Sequence, residues 1–293
     1  MQLLTENEFG QVHQIELSKD VSALIIDHSK AKAKVSLYGG QVLSWQPDGE
    51  SEVFWLSKNS TFEQGKAIRG GIPLCWPWFG AHPDDDKNKA GNHGFARGQQ
   101  WQLESVNINE KGVEVRLGWQ GKNMNSLWPF PCQLTQVLFF GQYFKQSLKM
   151  SNLSDSDAYY TGALHSYFFV SSPEKIKVSA LEQASFDDKL TGELCDPQLL
   201  ENAVGPVDRI YYTNEVMSII DSKFRRTIEL KSKNTKQWVF WNPGHELANN
   251  MVDIHRNGEQ EFVCLEAANT QMQLLTAGQS AVIEQEIFVM SNK

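Results

Sequence analysis

The sequence predicts an all-β protein built as a large antiparallel β-sandwich, and three observations carry that prediction. Apolar and polar residues alternate in short runs, turn-forming clusters separate the runs, and no segment keeps helical periodicity beyond about two turns.

Ala33, Val35 and Leu37 share one face of a run that ends at Gly39–Gly40. Val113, Val115 and Leu117 repeat the pattern, as do Ile228 with Leu230, and Ala281, Ile283, Ile287 and Val289. A period of two puts every second side chain on one face of a strand, so each run describes a sheet with one face in a core. Between the runs lie QPDGES, NEKG, SNLSDSD, SKNTK and TAGQS, rich in the Gly, Pro, Asn, Asp and Ser that make tight turns. No fixed-period repeat, low-complexity block or Gly/Ser/Pro linker divides the chain, so one domain over residues 1–293 is expected. So many strands must stack as two large sheets or close into a barrel to bury their apolar faces, and the sandwich is the expectation.

Composition narrows the function. With 41% hydrophobic and 21% charged residues, the 293-residue chain has ample material for a core. Lys and Arg number 27 against 35 Asp and Glu, a net charge of −8 with no basic run, so nucleic acid is not an expected partner. An anionic ligand would have to be held by a few placed arginines. The apolar runs fall short of the roughly 18 residues of a membrane helix, so no membrane partner is expected. The opening MQLLTENEFGQVHQIELSKD lacks the features of a secretory signal, which places the protein in the cytoplasm. Cys75, Cys132, Cys195 and Cys264 form no C-x-x-C and read as buried free thiols rather than a disulfide framework or zinc site. Nothing demands more than a monomer.

Familiar motifs are missing or broken. G-x-G-x-x-G, the Walker loop and the G-x-S-x-G elbow are absent. HELAN starts like a zinc-protease helix at His245 but has Asn249 where the second histidine belongs. PDDDKNKAGN has Asp84, Asp86 and Asn88 at calcium-loop spacing, yet Lys89 stands at the glycine position and Phe95 at the bidentate glutamate position. It reads as a solvated loop.

Four patches fit a purely structural role poorly. AIRGGIPLCWPWFG (67–80) sets Arg69 beside two glycines and a crowd of aromatics, and NHGFARG (92–98) places His93 and Arg97 around a glycine. ALHSYFF (163–169) carries His165 on a strand-like run, and FVCLEAAN (262–269) interrupts a hydrophobic strand with Glu266. An isolated strand histidine is more often a hydrogen-bonded core residue than a catalyst, and either arginine alone would pass as a surface ion pair. Glu266, however, shares its alternating face with Cys264 and Phe262, which points it inward, where an unpaired carboxylate costs several kcal/mol. The four together call for a site.

These stretches, with VDRIY (207–211), WNPG (241–244) and the earlier LSWQPDGESEVFWLS, occur in an order that resembles the motif series of the hexose-6-phosphate mutarotases. That family is the glucose-6-phosphate 1-epimerase branch of the aldose 1-epimerase superfamily. The resemblance runs from about Gly39 onward and implies a galactose-mutarotase-like supersandwich that interconverts the α and β anomers of a hexose 6-phosphate without cofactor or metal. It assigns His165 and Glu266 as the catalytic pair, and Arg69, Asn92, His93, Arg97 and Asp208 as substrate-binding residues.

Ring opening needs a base at the C1 hydroxyl and an acid at the ring oxygen. The expectation is an ionised Glu266 as base and a protonated His165 as acid, each favouring the other's charge. Asp208 would bind a sugar hydroxyl. Trp76 and Trp78 would stack on the sugar, and Gly70–Gly71 would let backbone approach it. Phe169 and the acidic loop at 84–86 depart from the family pattern and bear on substrate range. The competing readings are an epimerase of neutral aldoses, a non-catalytic sugar-phosphate binder, and an interaction protein with a polar core network.

Overall fold

The alternating runs fold into strands that pair antiparallel throughout. The computed structural model describes residues 1–200 and 203–291. Strands β1 (Gln2–Asn7), β2 (Gly10–Glu16), β3 (Ser22–His28), β4 (Ala31–Ser36) and β5 (Val42–Pro47) form a five-stranded meander in chain order. A short β6 (Leu74–Cys75) precedes β7 (Gln102–Asn109), β8 (Gly112–Gly121), β9 (Cys132–Gly141), β10 (Tyr143–Asn152), β11 (Ala158–Leu164) and β12 (Tyr167–Phe169). Then come β13 (Ile176–Ser179), β14 (Phe186–Asp188), β15 (Glu193–Cys195), β16 (Val207–Tyr211), β17 (Met217–Asp221), β18 (Arg226–Lys233) and β19 (Gln237–Asn242). Helix α1 (Gly244–Asn249) leads to β20 (Phe262–Leu275) and β21 (Ser280–Ser291). No helix is long and apolar enough to cross a membrane.

The second sheet runs β13-β17-β18-β21-β10-β9-β8-β7, and the third runs β15-β14-β16-β19-β20-β11-β6, with β12 also paired to β20. The turn clusters fall where the strands reverse. NEKG joins β7 to β8, SNLSDSD joins β10 to β11, SKNTK joins β18 to β19, and TAGQS joins β20 to β21.

One continuous cluster of buried side chains draws on all three sheets. Leu24, Val35 and Trp45 come from the first, Leu117, Leu138 and Phe144 from the second, and Leu164, Trp238 and Leu265 from the third. Each large side chain so buried contributes about 1.5–3 kcal/mol. The third sheet differs from the others in burying both faces. Every residue from Phe262 to Asn269 is buried. Val263, Leu265 and Ala267 enter the main core, while Phe262, Cys264 and Ala268 belong to separate clusters on the outer face. The same alternation sends Trp238 and Phe240 inward and Val239 and Trp241 outward. Strand geometry therefore puts Glu266, one step from Leu265 and two from Cys264, on the outer face.

Two expectations about the aromatic stretch are corrected. Trp76 and Trp78 do not face a ligand; they are 0% and 2% exposed and belong to the main core. Trp76 packs edge-on against Trp128 at 4.6 Å and Phe95 at 5.7 Å. Gly70 and Gly71 do admit close backbone approach, but to neighbouring chain. A Cβ on Gly70 would lie 2.4 Å from the Trp55 carbonyl oxygen, and one on Gly71 2.0 Å from that of Val42. Of the four thiols, Cys75, Cys132 and Cys264 are buried and Cys195 is partly exposed.

Candidate active site

The outer face of the third sheet floors a cavity of about 330 Å³, and the loops that cross it supply the walls. All seven residues expected from the sequence line it: Arg69, Asn92, His93, Arg97, His165, Asp208 and Glu266. Register explains the floor. Val239 pairs with Glu266 across β19 and β20, and Asp208 pairs with Trp241 across β16 and β19. His165 follows β11 directly, and its backbone N–H donates to Pro73 O at 3.1 Å. The imidazole Nδ1 thereby comes 3.3 Å from Glu266 Oε1.

Both groups are almost fully buried, at 7% and 1% exposure, and neither His165 Nδ1 nor Glu266 Oε2 has a hydrogen-bond partner among the described residues. Orphaned buried polar atoms carry a desolvation cost and are found where a site awaits a ligand or does chemistry. Burial raises the Glu266 carboxyl well above the usual range. Asp208 adds to the rise, and Arg97 opposes it. Burial, with His93, Arg97 and Arg69, holds His165 well below the usual histidine range. Burial thus works against the charged form of each group, and so against the ion pair expected from the sequence, although the two lie in contact.

His93 sits at φ +69° ahead of Gly94, whose Cβ would fall 2.1 Å from the Trp76 carbonyl oxygen, so glycine is required there. His93 Nδ1 accepts from the Gly80 N–H at 3.2 Å, which leaves the neutral ring's proton on Nε2. Burial, then Arg97 and Arg69, pushes this histidine down to about 3. It is a neutral donor, edge-on to His165 at 5.6 Å.

The cations come from loops. Arg69 Nε donates to Asp253 Oδ2 at 3.0 Å and its Nη1 to Tyr167 Oη at 2.8 Å. Burial opposes the guanidinium charge, but these two partners more than offset it, so Arg69 stays protonated. Arg97 Nη2 donates to the Asn92 carbonyl at 2.8 Å, so Asn92 shapes the arginine's reach through its backbone. Beneath His165, the neighbouring Ser166 Oγ accepts from Gln285 Nε2 at 3.1 Å. Gln285 Nε2 also donates to Gln146 Oε1 at 2.7 Å, Gln146 Nε2 to Gln136 Oε1 at 2.5 Å, and Gln136 Nε2 to Gly40 O at 2.6 Å. This buried amide chain crosses the core and ends behind the catalytic candidate.

Sequence reasoning missed Lys189, Met251 and the cavity roles of Trp241 and Phe79. Trp241 was within reach, since it stands two residues from Val239 on an alternating strand. Lys189 lies in the turn after β14 and carries no signal of its own. His165, Cys264 and Glu266 also offer metal-ligand atoms within 4.8 Å of one another. Zinc held tetrahedrally needs donors only roughly 3.5 Å apart, so side chains would have to close in on it.

The sequence model for aldose 1-epimerase matches residues 22–287. A Salmonella typhimurium protein provisionally named glucose-6-phosphate 1-epimerase is 35% identical over 252 residues, 84% of this chain and 83% of that one. An Escherichia coli protein of the same provisional name is 34% identical over 276 residues, 92% of this chain and 91% of that one. Among solved structures, a Salmonella typhimurium protein provisionally described as a mutarotase superposes with a TM-score of 0.88 at 32% identity, covering 100% of this chain and 96% of that one.

Proposed function

The chain belongs to the aldose 1-epimerase family, and from that premise we propose that it is a hexose-6-phosphate mutarotase, with glucose 6-phosphate as its substrate. The observation that carries the reading is convergence. Residues from five separate stretches, 69, 92–97, 165, 208 and 266, meet around one cavity in which a carboxyl and an imidazole lie 3.3 Å apart.

Glu266 takes the proton of the C1 hydroxyl while His165 protonates the ring oxygen; the ring opens, the C1–C2 bond turns, and closure reverses both transfers. A placed acid or base typically gives about 10²–10⁴-fold, enough for a reaction that already proceeds slowly in water. The phosphate dianion binds Arg69 and Arg97, whose planar forks suit its oxygens, with Lys189 a third cation on the wall. Arg97 bears on both His165 and Glu266, whereas Arg69 bears on the histidine. An oxyanion bound there offsets the cationic field that disfavours imidazolium, which favours His165 as the acid. Asp208 and the His93 Nε2–H orient hydroxyls, and Trp241, Phe79 and Met251 meet the C–H faces of the sugar.

Two-dimensional exchange NMR on the anomers of glucose 6-phosphate tests this directly. Exchange accelerated by the protein and lost in folded His165→Gln supports it. Absence of acceleration with glucose, galactose and mannose 6-phosphates would sink it.

A further inference from the structure

Tyr167 touches both halves of the site with different parts of one side chain. Its hydroxyl accepts from Arg69 Nη1 at 2.8 Å. Its ring lies parallel to the His165 imidazole, 4.9 Å between centroids and 6° between planes. The other side of the ring is closed by Phe262 at 5.1 Å and Trp55 at 5.9 Å, with Trp241 edge-on at 6.1 Å. The backbone is pinned as well: the Tyr167 N–H donates to Gly71 O at 2.9 Å, its carbonyl accepts from the Trp55 N–H at 3.0 Å, and it pairs with Cys264 on β20. At 1% exposure the ring is enclosed on all sides.

We propose that Tyr167 is a positioning residue for both binding and catalysis, its hydroxyl aiming the Arg69 guanidinium and its ring fixing the plane of His165. The inference rests on the reading of Arg69 as a phosphate ligand and His165 as the acid. Arg69 has five N–H donors. Asp253 and Tyr167 hold one each from behind, which leaves three for an oxyanion in the cavity. On the other side, proton transfer needs the imidazole nitrogen aligned with its target, and a ring sandwiched against a rigid aromatic keeps that alignment. A tyrosine that merely filled space would be replaced by phenylalanine without a substrate-specific effect.

The test is the pair Tyr167→Phe and Tyr167→Leu, with kcat and KM for anomer exchange of glucose 6-phosphate and of free glucose, and calorimetric titration with inorganic phosphate. Tyr167→Phe keeps the stack and removes the hydroxyl. It should raise KM for glucose 6-phosphate about fivefold to twentyfold, weaken phosphate binding similarly, and leave kcat and the free-glucose constants within about twofold. Tyr167→Leu should add a fall in kcat of about tenfold on both sugars, which Tyr167→Phe does not show. Equal losses on the two sugars in Tyr167→Phe, unchanged phosphate binding, or a full kcat in Tyr167→Leu would overturn the proposal. If Tyr167→Leu does not fold, Asp253→Asn replaces it and should reproduce the phosphate-specific KM effect; an Asp253→Asn enzyme with normal KM would count against the proposal. Wild-type protein without anomer exchange would overturn the mutarotase reading instead, and the phosphate titration of Tyr167→Phe would still decide the Arg69 contact.

Discussion

Replacing Glu266 with glutamine keeps the side chain's shape and removes its acid–base chemistry, so activity and stability should move in opposite directions. On the kinetic side, loss of a placed base removes about 10²–10⁴ from kcat, or roughly 2.7–5.4 kcal/mol of barrier. Stability follows from linkage. Burial, helped by Asp208, raises the folded carboxyl above its ordinary value of 4.5. A group raised in this way contributes its full stability below pH 4.5 and loses it as pH climbs through the folded value. Glutamine has no such loss. The advantage of Glu266→Gln over wild type should therefore grow with pH above 4.5, by up to about 1.4 kcal/mol for each pH unit of that window. Urea midpoints at pH 5 and pH 8, with exchange NMR at pH 8, measure both quantities. A variant that turns over within threefold of wild type, or that is less stable relative to wild type at pH 8 than at pH 5, would refute the reasoning.

Arg97→Ala should cut kcat/KM for glucose 6-phosphate by about 10–100-fold, the worth of a charge-assisted contact, and spare free glucose; a side-by-side comparison of the two sugars checks it. In acid, kcat/KM for free glucose should hold below pH 6.5, because burial and the nearby His93, Arg97 and Arg69 keep His165 unprotonated there. Free sugar avoids the phosphate's own titration near pH ~6, so an inflection at 6.5 would show that burial does not hold His165 below its ordinary value. Gly94→Ala should destabilise strongly, since its Cβ would meet the Trp76 carbonyl at 2.1 Å with φ at +68°, and a thermal melt would show it. Gln146→Leu breaks the amide chain on both sides, leaving Gln136 Oε1 and Gln285 Nε2 each short of a buried partner, and should cost about 2–5 kcal/mol, read from urea unfolding.

Alternation made the sheets legible, and it also exposed the inward turn of Glu266, because Phe262 and Cys264 flank it with the same parity. Parity could not say which inside was meant. The strand has a core on one side and a cavity on the other, and only the docking of loops 69–97 over β20 distinguishes them. The grouping of His165, Asp208, Arg69 and Arg97 came from resemblance to a motif series, since nothing local links positions so far apart. Trp76 and Trp78 went astray for a related reason. An aromatic cluster reads alike whether it lines a pocket or plugs a core, and these two plug it. What the sequence could not supply is the desolvation of the pair: attraction between two groups can be guessed from chemistry, whereas the cost of burying their charges depends on how completely the fold encloses them.

The order of the strands has a consequence for how the protein is made. Strand β20 lies between β19 and β11, and β21 between β18 and β10, so one hairpin of residues 262–291 joins two halves of each large sheet. During synthesis the ribosome delivers this hairpin after every strand it bonds to. Without it the third sheet would be divided into β15-β14-β16-β19 and β11-β6, and the second into β13-β17-β18 and β10-β9-β8-β7, each half with raw hydrogen-bonding edges open to other nascent chains. Chaperone dependence should therefore concentrate in the interval before β20 emerges. Glu266 arrives on that joining strand, so the cavity on the outer face of the third sheet is complete only when assembly is.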